Sequence, residues 1–440
     1  MTDERRNANF ALAVLFGVNL MNFFDRQMVG ALAEPIRLEF GLSDTALGLV
    51  NTVFVLVYAC VGLPLGRLTD TWLRTRLIAI GVTVWSGFTA ASGLASGFWS
   101  FIAMRIGVGV GEASCAPAAQ SLIGDLFPAG RRARAMAIFM MGLPLGLFAA
   151  YLLSGFIGER WGWRAAFFIA CIPGLLLAAL VLLVKEPGRA AAGGRAAVAV
   201  SGQQTAPDSP YRRVARIPTM WWIVLSGMLF NFNLYAVNAF QSPFLQRFHE
   251  LSLREASQVS AFSLGLAGVI GLLLGGWLGD RLHQRRANGR LLLAATCLLL
   301  GAPCVFLALQ LPKGSVTAFT LLMGASTALI FAYYSTVYSA IQDVVPPRLR
   351  GTAVAAYFFA MYVLGAAFGT TVMGALSDYF AKAAMLAAAA SQMAPAFKAA
   401  GLHSAMYVIP VLMVLCAGSL YGAARTVAND MRKMQNGTEL

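Results

Sequence analysis

The chain reads as an all-α membrane protein of twelve transmembrane helices, arranged as two six-helix halves related by pseudo-symmetry. Three observations predict this. Of its 440 residues 58% are hydrophobic and 12% charged, against about 25% charged in an ordinary soluble domain. Its apolar residues gather into twelve runs, each near the ~20 residues a helix needs to cross ~30 Å of hydrocarbon. Charged motifs after matching runs repeat at a nearly constant offset.

The runs begin near Phe10, Thr45, Leu77, Trp99, Ala135, Ala165, Met220, Gln258, Leu291, Val316, Thr352 and Ala405. The first is too long for a signal peptide and carries Asp25 and Arg26 with no small-residue cleavage site, so it is expected to be retained. Alternate loops and tails, starting with the N-terminus, hold 23 of the 33 Lys and Arg; the opposite loops hold 8, and 2 lie inside spans. This positive-inside bias places both termini in the cytoplasm, in a bacterial inner membrane. The net charge of +14 therefore reports topology and contact with anionic membrane lipids, and nucleic acid is not an expected partner. The six cysteines all fall in spans and are expected to be reduced thiols. No P-loop, hydrolase elbow or metal-ligand pair is present. No enzyme activity, cofactor or metal is expected, and secondary transport is favoured over an ATP-driven pump.

Residues 185–217, rich in Ala, Gly, Pro, Arg and Ser, read as a flexible cytoplasmic linker. They divide the chain into an N-terminal bundle (1–184) and a C-terminal bundle (218–440). The two bundles repeat each other. GRLTDTWLRTR after the second span is matched by GWLGDRLHQRR after the eighth, with Asp70 aligned to Asp280. DLFPAGRRARAMA before the fifth is matched by DVVPPRLRGTAVA before the eleventh. Asp125, Pro128 and Arg132 thereby align with Asp343, Pro346 and Arg350. Parallel six-helix repeats around a midplane site are a transporter architecture. Residues 382–402, Ala-rich and on the outer side, could form a short helix on the membrane surface or a disordered loop.

The pattern G-x-L-x-D-x-x-x-R occurs as Gly66, Leu68, Asp70 and Arg74, and again as Gly276, Leu278 and Asp280 with Arg281 and Arg285. A carboxylate at a helix end can pair with Arg or a helix N-terminus and latch the cytoplasmic side. Its occurrence at repeat-matched positions favours this gating reading over an ordinary charged loop. Deep within the spans, the ionisable residues are Asp25, Arg26, Arg105 and Glu112, on the first and fourth spans. A charge at the bilayer centre costs about 2.5–3.5 kcal/mol on insertion scales, so such groups pair. The set balances in sign and supports two readings. It can be a structural pin, or a proton-coupled switch in which protonating Asp25 or Glu112 frees an arginine for an anionic substrate group. Burial raises and a neighbouring arginine lowers a carboxylate's pKa, so composition alone does not decide. The three histidines, His249, His283 and His403, lie in loops, which argues against proton coupling through a buried histidine.

Polar stripes complete the candidate site. Asn19, Asn22 and Arg26 share one face of the first span; Asn231, Tyr235, Asn238 and Ser242 share one face of the seventh. Such stripes line a cavity or hydrogen-bond between helices. Thr327, Tyr334 and Tyr338 on the tenth span could join them.

The segments NFFDRQMVGAL, GLVNTVFVLVY, RIGVGVGEASCAP and LIGDLFPAGRRARAMAIF make the first six spans resemble the Spinster family of the major facilitator superfamily. Asn22, Asp25 and Arg26 match its N-Y-x-D-R segment, with Phe23 in place of the tyrosine. The second half resembles the superfamily more than the family. The resemblance implies the facilitator fold, alternating access, and a proton-linked carrier of lysolipids or sphingoid lipids. It also implies that Asp25, Arg26, Arg105 and Glu112 form the functional ionic set. A carrier of small organic anions or drug-like compounds is the competing expectation, and a single chain is the expected working unit.

Overall fold

The computed structural model describes residues 3–186, 210–346 and 349–435; within them, the side chains of Asp3, Glu4, Leu63, Arg67, Asp70, Thr71, Ala129, Ala133, Pro210 and Gln435 lie outside the description. Most of the expected linker, 187–209, also falls outside it. The described regular structure is helical, without strands.

The helices are α1 (Asp3–Ala31), α2 (Ala33–Phe40), α3 (Asp44–Thr71), α4 (Arg74–Ser92), α5 (Phe98–Glu112), α6 (Cys115–Leu126), α7 (Ala129–Met140), α8 (Gly142–Trp161) and α9 (Trp163–Leu182). Then follow α10 (Pro210–Ala215), α11 (Pro218–Phe248), α12 (Leu253–Ser260), α13 (Ala267–Arg285), α14 (Gly289–Leu309), α15 (Val316–Val344), α16 (Arg350–Ala360), α17 (Ala367–Ala387), α18 (Pro395–Met406) and α19 (Val408–Gln435). Single π-helical turns, Ala261–Leu266 and Met361–Ala366, join α12 to α13 and α16 to α17.

Among the described residues ten helical runs are long and apolar enough to cross a membrane. The other two expected spans are α4, whose first turn holds Arg74 and Arg76, and the α5–α6 run, which is broken at Ala113–Ser114. The chain packs as two compact units: residues 1–28 with 53–207, and residues 29–52 with 208–440. The second thus includes α2 and the first turns of α3 as well as α10–α19.

Within the first unit, glycines bring helices close. A Cβ on Gly111 would stand 2.7 Å from the Trp85 backbone nitrogen, and one on Gly146 2.5 Å from the Leu20 carbonyl. Small residues permit such backbone approach where no water drives helices together. In the second unit the π turns expose extra backbone and polar side chains of α11 meet them. Asn231 donates to the Met361 carbonyl (3.2 Å), and Gln241 to the Ser263 hydroxyl (2.8 Å). The segment 382–402 holds the expected short helix, α18, but packed on protein. Its first residues extend α17 to Ala387, and α18 packs on α17 with Gly401, Leu402, Ala405 and Met406 buried. A Cβ on Gly401 would meet the Ser377 carbonyl at 2.5 Å, so the helix docks on protein.

Candidate functional site

The four intramembrane charges all belong to the first unit. Asp25 and Arg26 come from α1, Arg105 and Glu112 from α5, and they are 1%, 8%, 2% and 0% exposed. Seven residues separate the two α5 groups, almost two helical turns, which puts both on one face. Arg26 Nε donates to Glu112 Oε2 at 2.7 Å. The Arg26 guanidinium also lies over the rings of Tyr58 (4.2 Å), Phe23 (5.3 Å) and Phe54 (5.4 Å). Such aromatic faces attract a desolvated cation. Phe23 occupies the motif's tyrosine place and forms part of this wall.

Arg105 is held differently. Its Nη2 donates to Ser92 Oγ (2.7 Å), and its guanidinium faces the rings of Phe167 (5.3 Å) and Phe101 (5.7 Å). It acts electrostatically on both Asp25 and Glu112. Asp25 also lies beside Trp85, and Asn22 flanks Glu112. Asp25 Oδ1, Glu112 Oε1 and Arg105 Nε are buried without a hydrogen-bond partner. A buried acid with an unoccupied oxygen has a place for a proton, and a buried arginine with an unused N–H can hold an acceptor.

The polar stripes divide by role. Asn19 donates to the Phe139 carbonyl at 2.7 Å. Asn231 is committed to Met361, and Ser242 to the Ala31 carbonyl (3.4 Å). These three are interhelical hydrogen bonders. Tyr334 and Tyr338, half-buried, belong to an aromatic surface of the second unit that continues through Phe358 and Tyr362 to Tyr235. Asn238 and Thr327, with Asn233 and Ser326, line a cavity of ≈ 30 Å³ closed by Leu264, Phe331 and Met413. That volume suits a water-sized guest, not an organic substrate.

The repeated charged motifs hold two corresponding networks. In the first unit Arg74 binds Asp125, Ser121 (2.9 Å) and Glu186 (2.7 Å). Glu186 is buried, but its bonds to Arg74 and Thr75 hold its pKa below the ordinary 4.5. In the second unit Arg290 bridges Asp280 (2.8 Å) and Asp343 (2.7 Å). Arg281 instead covers the Trp277 ring at 4.0 Å, and Arg350 donates to the Gln342 and Val345 carbonyls. Arg132 and Arg285 are exposed, and the Asp70 side chain lies outside the described residues. Gly66 and Gly276 leave open space around their Cα atoms, without backbone closer than ordinary contact. The residue equivalent to Arg74 is therefore Arg290, which the motif reading missed. Its offset of 216 residues, against 218 for Asp125 and Asp343, was the available signal.

A second buried ionic group was not legible in the sequence. It belongs to the second unit and is built by α2, the start of α3, the end of α11 and α17. Arg247 makes a bidentate pair with Asp44 (2.7 and 2.8 Å) and reaches Glu34 (2.7 Å), which also holds Arg37 (2.6 Å). Ser377 donates to Asp44 (2.6 Å). Asp378 accepts the α3 N-terminal amides of Asp44 (3.1 Å) and Thr45 (2.8 Å) and the Thr45 hydroxyl (2.6 Å). A carboxylate there satisfies orphan amides and the positive end of the helix. Glu34 is buried, yet its two arginines hold its pKa below the usual 4.5. Below this network the two backbones touch: a Cβ on Gly48 would lie 2.3 Å from the Thr370 carbonyl, and one on Gly374 2.2 Å from that of Asp44.

His249 corrects a second expectation. It follows α11 in a loop, as read, but is 5% exposed, whereas His283 and His403, also read as loop residues, lie in α13 and α18. Position outside a span does not imply exposure, because α18 and α15 bury His249.

Comparison with known proteins agrees with this architecture. A family model for the Major Facilitator Superfamily matches residues 15–370. An "MFS-type efflux pump" of Mycolicibacterium smegmatis is 32% identical over 85% of this chain and 85% of its own length. Human "Protein spinster homolog 1" is 30% identical over 83% of this chain and 72% of its own. Among solved structures, a bacterial homologue of the human lysosomal transporter Spinster, in an inward-facing and unoccupied conformation, superposes with a TM-score of 0.83. It is 29% identical, covering 96% of this chain and 98% of that one.

Proposed function

This chain belongs to the Major Facilitator Superfamily as a Spinster-like membrane transporter, not an enzyme, and we propose that it couples protons to the movement of lysolipid- or sphingoid-type amphiphiles by alternating access. The observation that carries this reading is the buried Arg26–Glu112 pair with a free carboxylate oxygen. When Glu112 takes a proton, Arg26 keeps its aromatic wall but loses its counter-charge. An uncompensated buried charge costs about 3–5 kcal/mol, so Arg26 then favours an anionic headgroup. Asp25, which Arg105 influences electrostatically without an ion pair between them, offers a second buried carboxylate for a proton. Discharge of the proton restores the internal pair and releases the substrate.

Amphiphiles are favoured because the aromatic surface of Tyr235, Tyr334, Tyr338, Phe358 and Tyr362 is half-exposed, which suits an acyl or alkyl chain. The charge bias sets both termini in the cytoplasm of an inner membrane, and one chain holds the whole ionic set. The buried Arg247 network then lies at the outer side, where it latches residues 29–52 to α11 and α17. The Arg74 and Arg290 networks lie at the cytoplasmic side. The second reading, a carrier of small organic anions or drug-like compounds, draws on the compact arginine pair and on the efflux-pump relative.

Proteoliposomes assayed with labelled lysophospholipids, sphingoid bases and small organic anions, with and without a pH gradient, separate the two readings. Gradient-driven lipid movement that long acyl chains compete for supports the first. Movement of the small anions alone supports the second.

A further inference from the structure

The end of α11 carries a titratable group that the scheme above does not use. His249 is the C-cap of α11, and neither of its ring nitrogens has a hydrogen-bond partner. Its surroundings are aromatic: the rings of Phe248, Phe319 and Phe244 lie 5.2, 5.4 and 5.6 Å away. A neutral imidazole ordinarily uses one donor and one acceptor. Leaving both unmet in an apolar pocket is costly, and charging the ring there is more so. Burial first, and then His403, accordingly hold the ring's pKa below the usual 6.5.

The position of this ring gives it leverage. Arg247, two residues earlier, is the centre of the outer network. Immediately after it, Glu250 adopts left-handed backbone (φ 60°), and the Leu251 amide returns to the Leu245 carbonyl at 3.3 Å. A non-glycine residue in that region is strained, so the turn that seats His249 holds against a local penalty. Other charged groups on the surrounding elements are committed elsewhere. Arg247, Glu34, Arg37 and Asp44 satisfy one another, Asp378 caps α3, Glu250 pairs with Lys313, and Glu255 closes the capping box of α12. His403 meets the Leu309 carbonyl (2.8 Å) and adjoins Tyr407. Because both ring nitrogens lack a partner, Glu39, Arg254, Lys382 and Lys398 do not hydrogen-bond the ring.

We propose that His249 is a proton-sensing site that loosens the Arg247 network when the outer compartment acidifies, an inference that rests on the alternating-access reading. The sign follows from the pocket. In the closed arrangement the ring resists protonation; once residues 29–52 leave and the end of α11, no longer held through Arg247, parts from α15 and α18, water and an ordinary pKa return. Protons therefore bind the open form more tightly, and the closed form loses ground as pH falls through 6.5. Each unit of pKa difference shifts the closed-to-open ratio by about tenfold.

The test uses spin labels at Leu38 on α2 and Leu386 on α17, which are 65% and 64% exposed, in the full chain with its native cysteines replaced. Distances are measured at pH 7.5 and 5.5. The background is Asp25→Asn with Glu112→Gln, so that a failure of the carboxylate switch cannot masquerade as a failure of this site. Acidification is expected to populate a longer distance, and His249→Phe, which keeps an aromatic ring, is expected to abolish that response. An unaltered response in His249→Phe, or one short distance at both pH values, overturns the proposal. Imidazole NMR is the second measurement, in a chain with three histidines. The His249 resonance should titrate below 6.5 in the closed form; an ordinary titration also overturns it.

Discussion

Replacing Arg247 by Gln should open the outer side more than any other single change. Arg247 neutralises two carboxylates, Asp44 and Glu34, both under 10% exposed, through contacts of 2.7–2.8 Å. Gln keeps some hydrogen bonding but leaves two buried negative charges facing one remaining arginine, Arg37. Removing one partner of a buried pair costs about 3–5 kcal/mol. At about 1.4 kcal/mol per tenfold, the closed-to-open ratio should fall by roughly two to four orders of magnitude. The loss applies to the closed arrangement alone, because the carboxylates regain water once residues 29–52 leave α11. Double electron–electron resonance between labels at Leu38 and Leu386 reads the two populations directly. A shift to the longer distance in R247Q is expected. A distribution matching that of the parent chain would refute the assignment of this network as the outer latch.

Other outcomes follow from the same geometry. Gly374→Ala puts a methyl 2.2 Å from the Asp44 carbonyl and should raise the longer-distance population in the same labelled pair; overpacking of this kind costs about 1–3 kcal/mol. Asp378→Ala removes the cap of α3 and should lower stability by about 0.5–2 kcal/mol, seen as a lower melting temperature that Asp378→Asn partly restores. Arg290→Ala should matter far less, by about 0–1 kcal/mol, because Asp280 is 68% exposed and water screens the pair. For the Arg74–Glu186 pair the glutamate's pKa is depressed below 4.5. Its stabilising contribution should be complete above the ordinary carboxylate range and vanish only as pH falls through the depressed value. Thermal unfolding of wild type and Glu186→Gln across acid pH checks that sign.

Legibility in the sequence tracked how far a residue departs from its immediate neighbours. Asp25, Arg26, Arg105 and Glu112 interrupt apolar runs, so the runs themselves announced them, and their spacing put Arg105 and Glu112 on one face. The pairing of Arg26 with Glu112 was not fixed by spacing, since either arginine could have served either acid. Glu34, Arg37, Asp44, Arg247 and Asp378 stand at span ends, where charges are ordinary. They become a network only because residues 203 to 334 positions apart meet in the fold. The aromatic wall around Arg26 was likewise hidden, since Phe54 and Tyr58 are unremarkable in a membrane helix. The π turns leave no sequence signal, so the commitments of Asn231 and Gln241 to them could not be foreseen. His249 shows the limit most plainly, because its burial is made by α18, a helix whose docking the Ala-rich sequence did not reveal.

The proposed mechanism requires the buried carboxylates to exchange protons for substrate at the arginines. Transport of a labelled lysolipid in proteoliposomes, driven by an imposed pH gradient, should be compared in wild type, Glu112→Gln and Asp25→Asn. Both variants should fold and still bind lipid, but the gradient should no longer drive accumulation. Full gradient-driven transport in both would contradict the mechanism and leave the four charges as a pin between α1 and α5.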